Sequence, residues 1–251
     1  MLNGGIFLED IVKVTAHRPY PLPDLPWMMT QTWENLLFLH WPIPADQLRA
    51  HVPEQLELDT WEGQAWLTIS PFQVKHQRFR ILPEIPLLNE YLELNVRTYV
   101  KHGGKGGVYF FSLDANLAPA VLAANGLLAL PYKNADMEFK QAEDAFIFTN
   151  KRLSAEDGFG EFKAIYKPET EPALCGPGSL EHWLVERYCL FTTRNGKVLR
   201  GDIHHLPWDV STASADVGVN TMSPVPLNGA PIIQFCKSKK VLMFPFVEEE
   251  M

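Results

Sequence analysis

The chain has 251 residues, a mass of 28.5 kDa and a formal charge of −8 (22 Lys and Arg against 30 Asp and Glu). That charge argues against nucleic acid or an anionic membrane as the main partner, because phosphate binding needs clustered Lys and Arg. Hydrophobic residues at 46% exclude a disordered chain, and no apolar run approaches the 18 or so residues of a membrane span.

Proline is abundant, with 20 residues against 16 glycines. It interrupts helices and central strands, so many short elements with fixed turns are expected. Residues 1–26 form an N-terminal segment and a proline-rich connector (Pro19, Pro21, Pro23, Pro26). The start lacks the basic residues and long apolar stretch of a secretory signal.

Trp33–Trp41 reads as a buried strand closed by Pro42 and Pro44, with a short helix at Ala45–His51. Leu56–Leu58 and Ala65–Ile69 suggest a hairpin turning at Glu62-Gly63. Tyr91–Lys101 and Val108–Leu113 are strands joined by the glycine-rich run His102–Gly107. No GK[ST] follows that run, so it reads as a hairpin turn and not a phosphate cradle.

Pro119–Leu130 is the clearest helix, rich in Ala and Leu and bounded by prolines. Met137–Gln141 pairs with Ala145–Lys151, and Glu161–Tyr166 is a further strand. Ser179 caps a second helix at Leu180–Arg187. Asn195-Gly196 turns a hairpin between Tyr188–Thr193 and Lys197–Asp202. Ile232–Cys236 and Lys240–Phe246 are expected to pair across Lys237–Lys239. About ten strands and two main helices predict a mostly β (α+β) single domain over residues 1–251, its antiparallel sheet curled into a barrel.

Standard catalytic motifs are missing, so the candidates are polar clusters in apolar surroundings. Glu93, Asn95, Arg97 and Tyr99 alternate with Leu94, Val96, Thr98 and Val100. Their shared polar face either meets water or lines a cavity. Lys133 follows the first helix, where a desolvated lysine would be a Schiff-base nucleophile and an exposed one an ordinary surface charge. His182 and Glu186 are i, i+4 on the second helix, but no third metal ligand is visible. His204 and His205 are adjacent on a strand and point to opposite faces. His40 reads as part of a rigid corner. No metal and no cofactor is expected. Cys175, Cys189 and Cys236 are far apart and read as free thiols in a cytoplasmic protein.

Several stretches together resemble the bacterial YqjF-like family. They are residues 31–38 with 40–44, then 93–100, 107–115, 130–132, 180–188 and 204–208. That family is similar to the acetoacetate-decarboxylase-like superfamily. The resemblance implies a closed, cone-like antiparallel barrel with a central cavity. In the decarboxylase a Tyr-x-Glu segment supplies a cavity glutamate, and Tyr91-Leu92-Glu93 is similar. The decarboxylase's Schiff-base lysine directly follows a proline, with a second lysine next. Here Pro131 is followed by Tyr132 and then Lys133, so Tyr132 holds the nucleophile's position.

The expected function is cavity binding of a small organic carbonyl or carboxylate compound, with Glu93, Asn95, Arg97, Tyr132 and His205 as ligand contacts. The alternatives are a lyase-type enzyme using Lys133, and an interaction protein without a working cavity. The expected partner is a small molecule, with no nucleic acid and no membrane; a homo-oligomer is compatible with the sequence.

Overall fold

A computed structural model describes residues 8–117, 130–154 and 159–249. The helix expected at Pro119–Leu130 lies outside the described residues up to its last position. Among the described residues three short helices are α1 (Leu8–Lys13), α2 (Ala45–Arg49) and α3 (Leu180–Val185). The strands are β1 (Met29–Ile43), β2 (Glu57–Leu58), β3 (Ala65–Phe79), β4 (Tyr91–His102), β5 (Lys105–Ala115), β6 (Tyr132–Ala142) and β7 (Ala145–Arg152). They continue with β8 (Glu161–Pro168), β9 (Ala173–Leu174), β10 (Cys189–Arg194), β11 (Lys197–His204), β12 (Asp209–Asn220), β13 (Ile232–Met243) and β14 (Val247–Glu248). None of the described helices is long and apolar enough to cross a membrane.

The sheet closes twice. Strands β5, β4, β3, β1 and β13 form a shared wall. One path from β13 back to β5 runs through β12, β8, β7 and β6 and closes a nine-stranded ring. A second path runs through β11 and β10 and closes a seven-stranded ring on the other face. Both faces of the wall are therefore buried, which explains the unbroken apolar run in β1. Leu37, Leu39 and Trp41 enter one core, while Leu36 and Phe38 enter the other.

A bulge sets this alternation. Asn35 adopts φ 51°, and Tyr166 Oη holds its carbonyl at 2.9 Å. Before the bulge Gln31 and Trp33 face the seven-stranded ring; after it the even residues Leu36 and Phe38 do.

Several sequence expectations change. The barrel is largely antiparallel, but β5 pairs in parallel with both β10 and β6. Hairpin logic sees only neighbouring strands, and these contacts need long crossovers. Ile232–Met243 is one strand, because its pairing with β1 continues through Ser238 and Lys239, while its other edge pairs with β12 near one end and β11 near the other. The short strand Glu57–Leu58 pairs with β4 and not with Ala65–Ile69. The second helix stops at Val185. Strand β12 was not expected; its small and acidic residues lack the β-branched runs that mark a strand.

The glycine-rich run turns at Gly103 and Gly104, with φ of 56° and 75°. Gly106 and Gly107 serve differently. A Cβ on Gly107 would lie 2.7 Å from Cys189 Sγ and 2.8 Å from the Cys189 carbonyl oxygen. The small size of Gly107 lets β10 approach β5 and close the seven-stranded ring, whereas a Cβ on Gly106 would lie 2.9 Å from Arg187 Nη1.

Candidate functional site

The seven-stranded ring encloses a cavity of about 430 Å³, within the range of roughly 300–1,000 Å³ seen for ligand pockets. Its walls are mostly aromatic and aliphatic, including Trp33, Phe38, Phe72, Phe110, Leu113 and Phe246. Strand β4 crosses it with its polar face inward, so Tyr91, Glu93, Asn95 and Arg97 line the cavity. The alternation of apolar and polar residues on β4 is thus a division between two interiors, not between core and water.

Tyr132 enters from β6 and donates from Oη to Glu93 Oε2 at 3.1 Å. Glu93 is only 5% exposed. Burial pushes its carboxyl up to about 7, and hydrogen bonds from Tyr132, Asn95 and Tyr91 pull the other way. Burial also drives the Tyr132 and Tyr91 phenols well above their ordinary range, with the Glu93 charge adding to it. Gln31 Nε2 donates to Tyr91 Oη at 3.0 Å and fixes that ring.

Arg97 lies four residues further along β4. Its guanidinium carbon sits 5.4 Å from the Phe38 ring centre and 6.0 Å from that of Tyr99. It makes no ion pair with a carboxylate among the described residues. Its Nε and Nη2 are buried and find no hydrogen-bond partner among the described residues, as do Ser70 Oγ and Asn95 Oδ1. Burial lowers its pKa, yet an arginine stays protonated in proteins. Arg187 approaches Tyr99 as well, at 4.9 Å, but carries its own counter-charge: Nη1 donates to Asp59 Oδ2 at 2.6 Å.

Lys133 does not enter the cavity. Neighbours on β6 alternate, so Tyr132 points in and Lys133 is exposed, its charge felt by Asp114. No lysine lines the cavity among the described residues. The segments outside them contain no lysine either.

His205 also stays away from the cavity. It is fully buried, stacks on Tyr188 at 4.6 Å and sits between two carbonyls, Nδ1 2.9 Å from that of Leu206 and Nε2 3.2 Å from that of Arg187. Burial pushes its pKa down to about 3, so it is a neutral packing group. His204 donates from Nε2 to the Ile11 carbonyl at 2.8 Å, tying down α1. His40 is buried, its Nε2 bonded to Gln234 Oε1 at 3.1 Å and its pKa lowered to about 3 by burial and then by the Arg97 charge. Glu186 accepts from Tyr188 Oη and, at 2.7 Å, from the Trp208 backbone N–H, leaving it turned away from His182 as a ligand partner.

Sequence reasoning missed Ser70, Phe38 and Gln31 as lining residues. They come from three strand segments whose inward register depends on the Asn35 bulge and on strand pairing. It also missed the Asp114–Arg152 pair, in which Arg152 Nε donates to both Asp114 oxygens at 2.9 Å.

Comparison with known proteins fits this geometry. Residues 30–237 match the DUF2071 family of uncharacterized conserved proteins. The chain is 43% identical over 229 residues to the uncharacterized protein YqjF of Bacillus subtilis, covering 89% of this chain and 93% of that one. In fold it is similar to the acetoacetate decarboxylase of Legionella pneumophila, with a TM-score of 0.63, 14% identity and 94% and 93% of the two chains covered. It is also similar to an acetoacetate decarboxylase-like enzyme of Sphingomonas wittichii (TM-score 0.62, 12% identity, 90% and 94% covered). A third likeness is to the enduracididine biosynthesis enzyme MppR complexed with pyruvate (TM-score 0.60, 9% identity, 92% and 93% covered). At these identities the likeness is one of fold. The chain belongs to the DUF2071 family, as a YqjF-like protein built on the acetoacetate-decarboxylase-like barrel.

Proposed function

We propose that this protein binds a small organic acid in the cavity of its seven-stranded ring, with the carboxylate on Arg97. The observation that carries the reading is a buried cavity guanidinium, Arg97, with no carboxylate partner among the described residues. A buried charge left uncompensated is costly, and an anionic ligand supplies the missing charge. The planar fork of arginine matches a carboxylate in geometry. Glu93 and Tyr132 then face the ligand's other polar group. The pyruvate complex of MppR, a fold relative, accords with an acid in a barrel of this type. Three free cysteines accord with a reducing, cytoplasmic setting.

The lyase reading with Lys133 as nucleophile loses support from its exposure. If the protein is an enzyme, the chemistry favoured by geometry is proton transfer by Glu93, whose carboxyl titrates near neutrality. Native mass spectrometry of the purified protein tests the binding reading. A co-purified acid that disappears in Arg97→Leu is expected. An acid retained in that variant, or wild-type protein that binds no carboxylate by calorimetry, would overturn it.

A further inference from the structure

Three polar groups of the cavity, Glu93, Asn95 and Arg97, follow one another along β4, while Gln31, Gln77, Arg78, Arg187 and Asp202 line it from other elements. Glu93 and Arg97 are four residues apart on one face of β4, which places their backbones roughly 13 Å apart along the strand. Asn95 lies between them, and its paired neighbour Ser70 on β3 shares the midpoint. Around this line the wall is apolar, built from Trp33, Phe38, Phe72, Phe110 and Leu113.

A short keto acid does not match that layout. Its carboxylate and ketone carbons are at most about 2.5 Å apart, one single bond in a 2-keto acid and two in a 3-keto acid. Seated on Arg97, it would leave Glu93 and Tyr132 without a ligand partner and much of the aromatic wall uncovered. An extended chain advances about 3.3–3.6 Å for every three bonds. After the hydrogen-bond contacts at both ends are subtracted, the gap fits a chain of roughly six to ten atoms.

We propose that the ligand is an extended monocarboxylic acid of medium length, roughly six to ten carbons, whose carboxylate sits on Arg97, whose apolar body lies along the aromatic wall, and whose far end carries an oxygen function that meets Glu93 and Tyr132. The proposal rests on the carboxylate-binding reading above and narrows it to a ligand class. Ser70 Oγ and Asn95 Oδ1 supply two polar atoms at mid-chain, where a further oxygen substituent would be tolerated.

Calorimetry on the full chain tests this with straight-chain acids from acetate to decanoate, acetoacetate, and ω-hydroxyoctanoate. Each buried methylene strengthens binding about fourfold, so affinity rises steeply from butanoate to octanoate and then levels off as the cavity fills. ω-Hydroxyoctanoate binds more tightly than octanoate. Tyr132→Phe lowers that ratio about fivefold, the loss of one hydrogen bond. Arg97→Leu weakens octanoate more than tenfold while octan-1-ol still binds, which shows the cavity is intact; Arg97→Lys, which keeps the charge, recovers part of the loss. Acetate or acetoacetate binding as tightly as octanoate overturns the medium-length class and leaves the carboxylate reading standing. An unchanged hydroxy-to-plain ratio in Tyr132→Phe overturns the far-end assignment. Absence of binding by every acid defeats both readings together.

Discussion

Tyr132 Oη donates a hydrogen bond to Glu93 Oε2 at 3.1 Å, and this contact joins β6 to β4 inside the cavity. It sets a phenol against a carboxyl that burial has pushed up to about 7.

The Glu93 carboxyl makes stability depend on pH. Its folded pKa of about 7 lies above the ordinary 4.5, so between these values the folded chain binds the extra proton. Its contribution is complete below about pH 4.5 and is lost as pH rises through 7, to a total of about 3 kcal/mol. Urea unfolding of wild type and Glu93→Gln between pH 4 and 8.5 measures it. Wild type falls relative to the variant as pH rises; parallel curves would contradict the assignment.

Imine chemistry is expected only when an amine faces the cavity. Wild-type protein mixed with pyruvate and borohydride is expected to keep its intact mass, because Lys133 points outward and stays accessible to water. Tyr132→Lys puts an amine beside Glu93 and is expected to gain the mass of one reduced adduct. A wild-type adduct mapped to Lys133 by peptide sequencing would refute this.

The Asp114–Arg152 pair is buried, with side chains 0% and 10% exposed, and Asn150 Nδ2 adds a bond to Asp114 at 3.0 Å. Asp114→Ala leaves a guanidinium buried without its partner and is expected to cost about 3–5 kcal/mol. A loss below 1 kcal/mol in denaturant unfolding would show that the pair is readily replaced by water.

Closure of the seven-stranded ring depends on Gly107. A methyl there meets Cys189 backbone and sulfur at under 3 Å, so Gly107→Ala is expected to destabilise by about 1–3 kcal/mol and to loosen β10 from β5. Gly176→Ala, whose Cβ meets nothing within 4 Å, is the control. Hydrogen exchange at residues 189–191 should quicken in the first variant alone.

Thiol reactivity separates the cysteines. Burial pushes Cys189 and Cys236 up to about 11, while Cys175 is less buried and rises less. One thiol is expected to react first with an aromatic disulfide reagent, and peptide mapping should place it at Cys175.

Local pattern alone determined much of this molecule. Period-2 alternation over Glu93–Val100 placed three cavity residues on one strand face, because side chains along an unbulged strand alternate between its two faces. The Asn195-Gly196 turn and the Ser179 cap were legible for similar local reasons: Asn195 takes φ 52°, and Ser179 Oγ accepts the His182 N–H at 3.2 Å. The inward position of Tyr132 and the outward one of Lys133 followed from the same alternation once β6 was known. Tertiary structure decided the rest. Whether the polar face of β4 met water or a cavity depended on β10 and β11 closing over it, through parallel and long-range pairings that no neighbouring residues encode. Ser70 and Gln31 reached the cavity only through strand register and the bulge at Asn35. His205 looked available in the sequence and was taken up by packing against Tyr188 and Trp208. Alternation fixes which way a side chain points relative to its strand, but only closure of the sheet determines what lies on that side.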